Sequence, residues 1–116
     1  MRYALLICTN EKEYENMTPE EGAALMADYT RWTEERNERG ILQAGERLRP
    51  TSDATTVRVR NGEVLVSDGP FAETKEVMVG YDLLECANVD EAIEVASKHP
   101  LAKRGAMELR PFSPFE

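Results

Sequence analysis

At 116 residues, with 22 acidic against 14 basic side chains and a net charge of −8, the chain is sized for one acidic domain with a single core. That charge excludes nucleic acid and anionic membrane as expected partners, because both are held by clustered Lys and Arg. Hydrophobic residues at 41% beside charged residues at 31% describe a globular chain and exclude disorder.

The opening run Tyr3-Ala4-Leu5-Leu6-Ile7-Cys8 is far too short to span a bilayer. It also lacks the longer apolar stretch and the cleavage site of a signal peptide, so a cytoplasmic setting is expected. Cys8 and Cys86 are accordingly expected as reduced, buried thiols, neighbours only if their strands pair in parallel. In residues 2–8, Tyr3, Leu5 and Ile7 oppose Ala4, Leu6 and Cys8. Both faces therefore need cover, which marks a central strand. Asn10 to Asn16 is a charged loop.

A helix over 19–39 follows. Thr18 suits its cap, Pro19 its first position, and Glu21 completes a capping box. Leu25, Met26, Tyr29 and Trp32 form its inward stripe, and Gly40 is its stop. Ile41 to Leu48 is a second strand, in which Gly45 signals a bulge or a close approach. Residues 55–60 and 63–67 flank Asn61-Gly62, the pair that accepts the positive φ angles of a type I′ hairpin turn. Counting outward pairs Val59 with Val64 and Val57 with Val66 on one apolar face; Arg58 and Arg60 take the other.

The segment Ser67-Asp68-Gly69-Pro70-Phe71-Ala72-Glu73-Thr74-Lys75-Glu76 then leads into a strand over 77–86 that is again apolar on both faces. Asn88 and Glu91 open a second helix with Ala92, Ile93 and Ala96 inward, and Pro100 stops it. Residues 105–110 alternate as a last strand. Phe112 and Phe115 in the tail are placed to dock on the domain or a partner.

Without the hairpin this order is βαββαβ, the pattern of ferredoxin-like α+β domains, over a single domain spanning 1–116. Two helices cover one sheet face. The other face of the two central strands also wants cover, and a second copy packed sheet against sheet supplies it. A homodimer through the sheet faces is expected on that ground, with the inserted hairpin as the competing cover.

The chemistry-bearing residues exclude more than they assert. The single histidine, His99, ends the second helix, where the helix dipole favours a protonated, solvated or structural imidazole. One histidine so placed assembles no nucleophilic triad, and two cysteines alone make a poor metal site. No glycine-rich phosphate loop is present, so neither a metal nor a cofactor is expected. That leaves carboxylates, a lysine and tyrosines. Asp68 is either the acceptor of an Asx-turn before Gly69-Pro70 or a general base at the mouth of a sheet cavity. Phe71 is a core plug or a stacking platform. Glu46 faces solvent or pairs with Arg47 or Lys75, and Lys75 lines a pocket if its loop folds over the sheet. Tyr3 and Tyr81 offer polar tips from the central strands, with core packing as the other reading.

Asp68-Gly69-Pro70-Phe71, extended by Ala72-Glu73-Thr74-Lys75-Glu76, resembles the DGPF subgroup of the YCII-related family. So do the opening Met1-Arg2-Tyr3, Ala44-Gly45-Glu46, Thr55-Thr56-Val57-Arg58, Gly80-Tyr81 and Val89-Asp90-Glu91-Ala92. The resemblance implies a ferredoxin-like dimeric α/β barrel. Broader YCII-like proteins are regarded as enzymes because a histidine and an aspartate meet in a cleft; only the aspartate half carries over, to Asp68. The resemblance also suggests a setting beside extracytoplasmic-function sigma factors. Two functions follow. In one, the dimer holds a small molecule, and Asp68 with Tyr3, Glu46, Phe71, Lys75 or Tyr81 binds it and supports acid–base, lyase-like chemistry. In the other, the chain is a non-catalytic regulatory or binding module.

Overall fold

Alternation along the first strand sets the layering. In a computed structural model that describes residues 1–113, β1 (Arg2–Thr9) buries Tyr3, Leu5, Ile7 and Thr9 on one face and leaves Ala4, Leu6 and Cys8 half-buried on the other. It is followed by α1 (Pro19–Glu38), β2 (Leu42–Arg47), β3 (Thr55–Arg60), β4 (Glu63–Asp68), β5 (Val77–Glu85), α2 (Val89–Ser97) and β6 (Gly105–Pro111). Strands β2-β5-β1-β6 form one antiparallel sheet in that order, the ferredoxin-like arrangement, while β3 and β4 form a separate two-stranded sheet. The two strands that read as apolar on both faces, β1 and β5, are the central pair.

Local signals place the ends. Thr18 Oγ1 accepts the Glu21 N–H at 3.1 Å, and Asn88 Oδ1 accepts the Glu91 N–H at 2.9 Å. After α1, Gly40 sits at φ 68°, and the Ile41 N–H returns to the Arg36 carbonyl at 3.0 Å, closing the helix end. Asn61 and Gly62 have φ of 52° and 78°, and Val59 faces Val64 and Val57 faces Val66, the expected hairpin register.

The core joins Leu5, Ile7 and Leu84 of the sheet to Trp32, Ala92, Val95 and Ala96 of the helices. Two inward assignments are corrected. Met26 is 56% exposed and Ile93 is 52% exposed. Each lies one position, about 100° of helix, from a residue that does pack inward. On α2 the small side chains of Ala92 and Ala96 meet the sheet, which turns Ile93 out.

Because β1 and β5 are antiparallel, the cysteines are not neighbours. Cys8 lies opposite Met78, whereas the Cys86 N–H bonds the Met1 carbonyl at 2.8 Å, at the other end of β1. Both are free thiols, Cys86 buried and Cys8 half-buried. The hairpin does not lie over the open sheet face: its strands pair only with each other, and Val57, Val59, Val64 and Val66 are all mostly exposed. Phe115 lies outside the described residues.

Candidate functional site: a buried polar cluster between α1 and the sheet

An acidic residue on the core face of a central strand is the first anomaly. Asp82 of β5 stands opposite Leu5 on one side and Gly45 of β2 on the other, and it is only 3% exposed. The close approach expected at Gly45 is explained by this neighbour. A methyl group on Gly45 would overlap Asp82 Oδ1 and come within 2.9 Å of the Tyr81 carbonyl oxygen. Asp82 Oδ2 is buried with no hydrogen-bond partner among the described residues. Burial without a counter-charge disfavours the carboxylate and pushes its pKa up to about 6.

Above Asp82, α1 contributes Tyr29. Its phenol is raised above its usual pKa chiefly by burial and secondarily by the charge of Asp82, with Arg47 acting the other way. The Tyr29 ring meets His99 edge-on with centroids 5.3 Å apart, and Trp32 stands 4.7 Å from the same imidazole. Trp32 is anchored by its indole N–H to the Val95 carbonyl at 3.1 Å. Tyr29 thus packs against the imidazole that follows α2 and lies within electrostatic reach of the carboxylate of β5.

The state of His99 follows from its bonds. The Leu101 N–H donates to Nδ1 at 3.1 Å, so the neutral ring carries its proton on Nε2. That Nε2–H is buried and has no acceptor. His99 is 2% exposed, and burial lowers its pKa to about 4. Of the roles expected for His99, the protonated and the solvated imidazole are therefore corrected, while a structural one is consistent with its burial. A helix dipole favours a cation by ~1 kcal/mol, and the loss of hydration on burial outweighs it. Thr9 Oγ1, on the same sheet face and fully buried, also lacks a partner. Buried polar atoms are normally satisfied, so these unpaired ones between the helices and the sheet single out the region as a candidate site. Among the described residues no three His, Cys, Asp or Glu side chains converge as metal ligands.

The residues expected from sequence are dispersed. Tyr3 is 2% exposed in the core, its hydroxyl 3.7 Å from Met1 Sδ. Glu46 and Tyr81 come together, opposite one another on β2 and β5, on the sheet face away from the helices. Asp68 ends β4 opposite Thr55, exposed, and its carboxylate makes no hydrogen bond among the described residues. The expected Asx-turn is replaced by backbone and hydroxyl bonds. The Gly69 N–H reaches the Ala54 carbonyl at 2.7 Å, and Thr56 Oγ1 donates to the Gly69 carbonyl at 2.8 Å, with Gly69 at φ 94°. Phe71 is 80% exposed rather than a core plug, since its loop packs on no layer of the domain. Lys75 is exposed in the same loop, and Glu46 forms no ion pair with it or with Arg47.

Sequence reasoning missed Asp82, Tyr29 as a polar contributor, and Thr9. The available signal was Asp82 itself: an acid at the core parity of an otherwise apolar strand, across from a glycine in the neighbouring strand.

Comparison with known proteins adds the family. The chain is 38% identical over 115 residues to an uncharacterized protein of Rhizobium meliloti (strain 1021), covering 97% of this chain and 93% of that protein. Among solved structures it resembles the 5-chloro-2-hydroxyhydroquinone dehydrochlorinase of Burkholderia phenoliruptrix AC1100, in complex with 2,5-dihydroxybenzoquinone. That match has 12% identity and a TM-score of 0.49, and covers 97% of this chain and 94% of that one. No helix among the described residues is long and apolar enough to cross a membrane. The YCII-related domain matches residues 1–116, the whole chain, which therefore belongs to the YCII-related family.

Proposed function

We propose that the protein binds a small molecule between α1 and the sheet and supports acid–base chemistry on it. The observation that carries this reading is the buried, unpaired Asp82 carboxylate whose charge acts on the Tyr29 phenol, together with the unpaired Nε2–H of the imidazole packed against that ring. A carboxyl group with a pKa of about 6 is ionised at neutral pH yet basic enough to take a proton from a bound ligand. The unpaired His99 Nε2–H would serve as the neutral donor for an oxygen on which charge develops, the division of labour of a lyase-like proton abstraction.

Native mass spectrometry of gently purified protein tests the reading. A discrete small molecule retained by the wild type and lost from Asp82→Asn is expected. Identical, ligand-free masses for both proteins would sink it.

The same proposal includes a cytoplasmic homodimer, in keeping with two free thiols and with the open face of the sheet, where Ala4, Leu6, Tyr81 and Leu83 have no layer above them. Glu46 and Tyr81 then belong to the subunit contact, and Asp68, Phe71 and Lys75 to a hairpin surface open to the second copy. A second reading, a regulatory module of the sigma-factor-linked kind, is favoured by the four exposed valines of that hairpin, a surface suited to a protein partner. Loss of a partner on hairpin substitution, with no ligand at Asp82, separates it from the first.

A further inference from the structure

A groove of about 670 Å³ lies between α1 and the connection from α2 to β6, with His99 in its lining. Trp32 and His99 line it, and the Tyr29 ring packs edge-on against the same imidazole. On a chain of charge −8, five cationic side chains and only three carboxylates line it. Three of the cations are already committed: Arg31 to Asp28, Lys98 to Glu94, and Arg36 to Glu35 and Glu94. Lys103 and Arg104 have no carboxylate partner among the described residues. Two buried lining groups are donors without acceptors, Arg36 Nε–H and His99 Nε2–H, both residues 2% exposed. A site with buried donors unspent and free cations at its rim is short of one thing, an anion.

We propose that this groove is the ligand's entrance and that it selects small acids with a flat apolar body. Lys103 and Arg104 receive the anionic group while the body lies along Trp32 and His99 toward Tyr29. The inference rests on the pocket reading above and names its ligand class. A neutral molecule of the same shape leaves both rim cations without a counter-charge, which is how a charged site rejects a neutral analogue.

The chain has one tryptophan and one histidine, so indole fluorescence and the imidazole NMR signal each report this lining alone. Benzoate and its neutral counterpart benzamide serve as probes. Benzoate is expected to shift both signals saturably, to bind roughly tenfold more tightly than benzamide, and to lose about that factor in a Lys103→Ala/Arg104→Ala variant, the size of one charge-assisted hydrogen bond. Added salt should weaken benzoate and spare benzamide. Both substituted side chains are exposed, and an unchanged indole spectrum without probe shows that the variant is folded.

Equal affinity for the two probes, benzoate binding indifferent to the double substitution, or no saturable shift by benzoate would each overturn the inference. Failure of the pocket reading looks different. If benzoate binding needs Lys103 and Arg104 but ignores Asp82→Asn, the groove stands and the inner pocket falls. If both probes bind equally and both weaken in Asp82→Asn, the pocket stands and selection for acids falls.

Discussion

Asp82 and His99 are titratable groups buried in opposite senses, and their effects on stability oppose each other. The folded protein keeps a proton on Asp82 up to pH about 6, whereas the unfolded chain releases it near 3.8. Between those values the folded state binds more protons, so stability falls as pH rises, by about 3 kcal/mol across the window. His99 behaves conversely. The unfolded imidazole protonates below pH 6.5, the folded one only near about 4, so stability falls as pH drops through that window, by a similar ~3 kcal/mol. The two terms cancel over most of the acid range. Urea unfolding at about pH 4.5 and about pH 6.5 is expected to expose each separately. Relative to wild type, Asp82→Asn loses stability on acidification and His99→Gln gains it; parallel profiles for all three proteins would refute the burial argument. Little of this was legible beforehand. A side chain's exposure depends on what packs over it, and a histidine before Pro100 reads as a helix end until Tyr29 and Trp32 close on it.

Elements were far more legible, because their signals are local. The Thr18 and Asn88 caps each bond a residue three positions on, and the Asn61-Gly62 turn fixes its own register. Removing the first cap, by Thr18→Ala, is expected to cost about 1 kcal/mol in denaturant unfolding. Faster amide exchange should be confined to the start of α1, whose only fully buried residues, Trp32 and Arg36, lie in its second half. A cost near zero would mean that Thr18 is not what holds that end. Helix phase was less legible than helix existence. Leu25 and Met26 are equally apolar, and only the docking of α1 decides which turns inward. The open face of β1 and β5 was legible as a need for cover, but the identity of the cover was not.

The molecule as a whole carries more surface than its mass requires. A folded monomer of 13.1 kDa exposes roughly 6,400 Å². This chain exposes 8343 Å², about 1,900 Å² more than that scaling gives, and a stable dimer needs only about 800 Å² from each partner. Its radius of gyration of 16.3 Å likewise exceeds the ~13 Å of a compact chain this long. The hairpin accounts for much of this, with Val57, Val59, Val64 and Val66 between 58% and 67% exposed. Sedimentation analysis is therefore expected to show a dimer, and replacing Val57 and Val66 by threonine to shift it toward monomer. A wild-type monomer at micromolar concentration would refute the proposed sheet-face pairing.

The order of elements, their caps and turns, and which two strands would be central were determined by the sequence alone, since each depends on neighbours within a few positions. The site was decided only by the tertiary structure. Asp82 acquires its raised pKa because Gly45, on another strand, leaves it room without a partner, and His99 loses its charge because α1 lays two aromatic rings against it. Those groups lie far apart along the chain, and desolvation arises only where the fold brings them together.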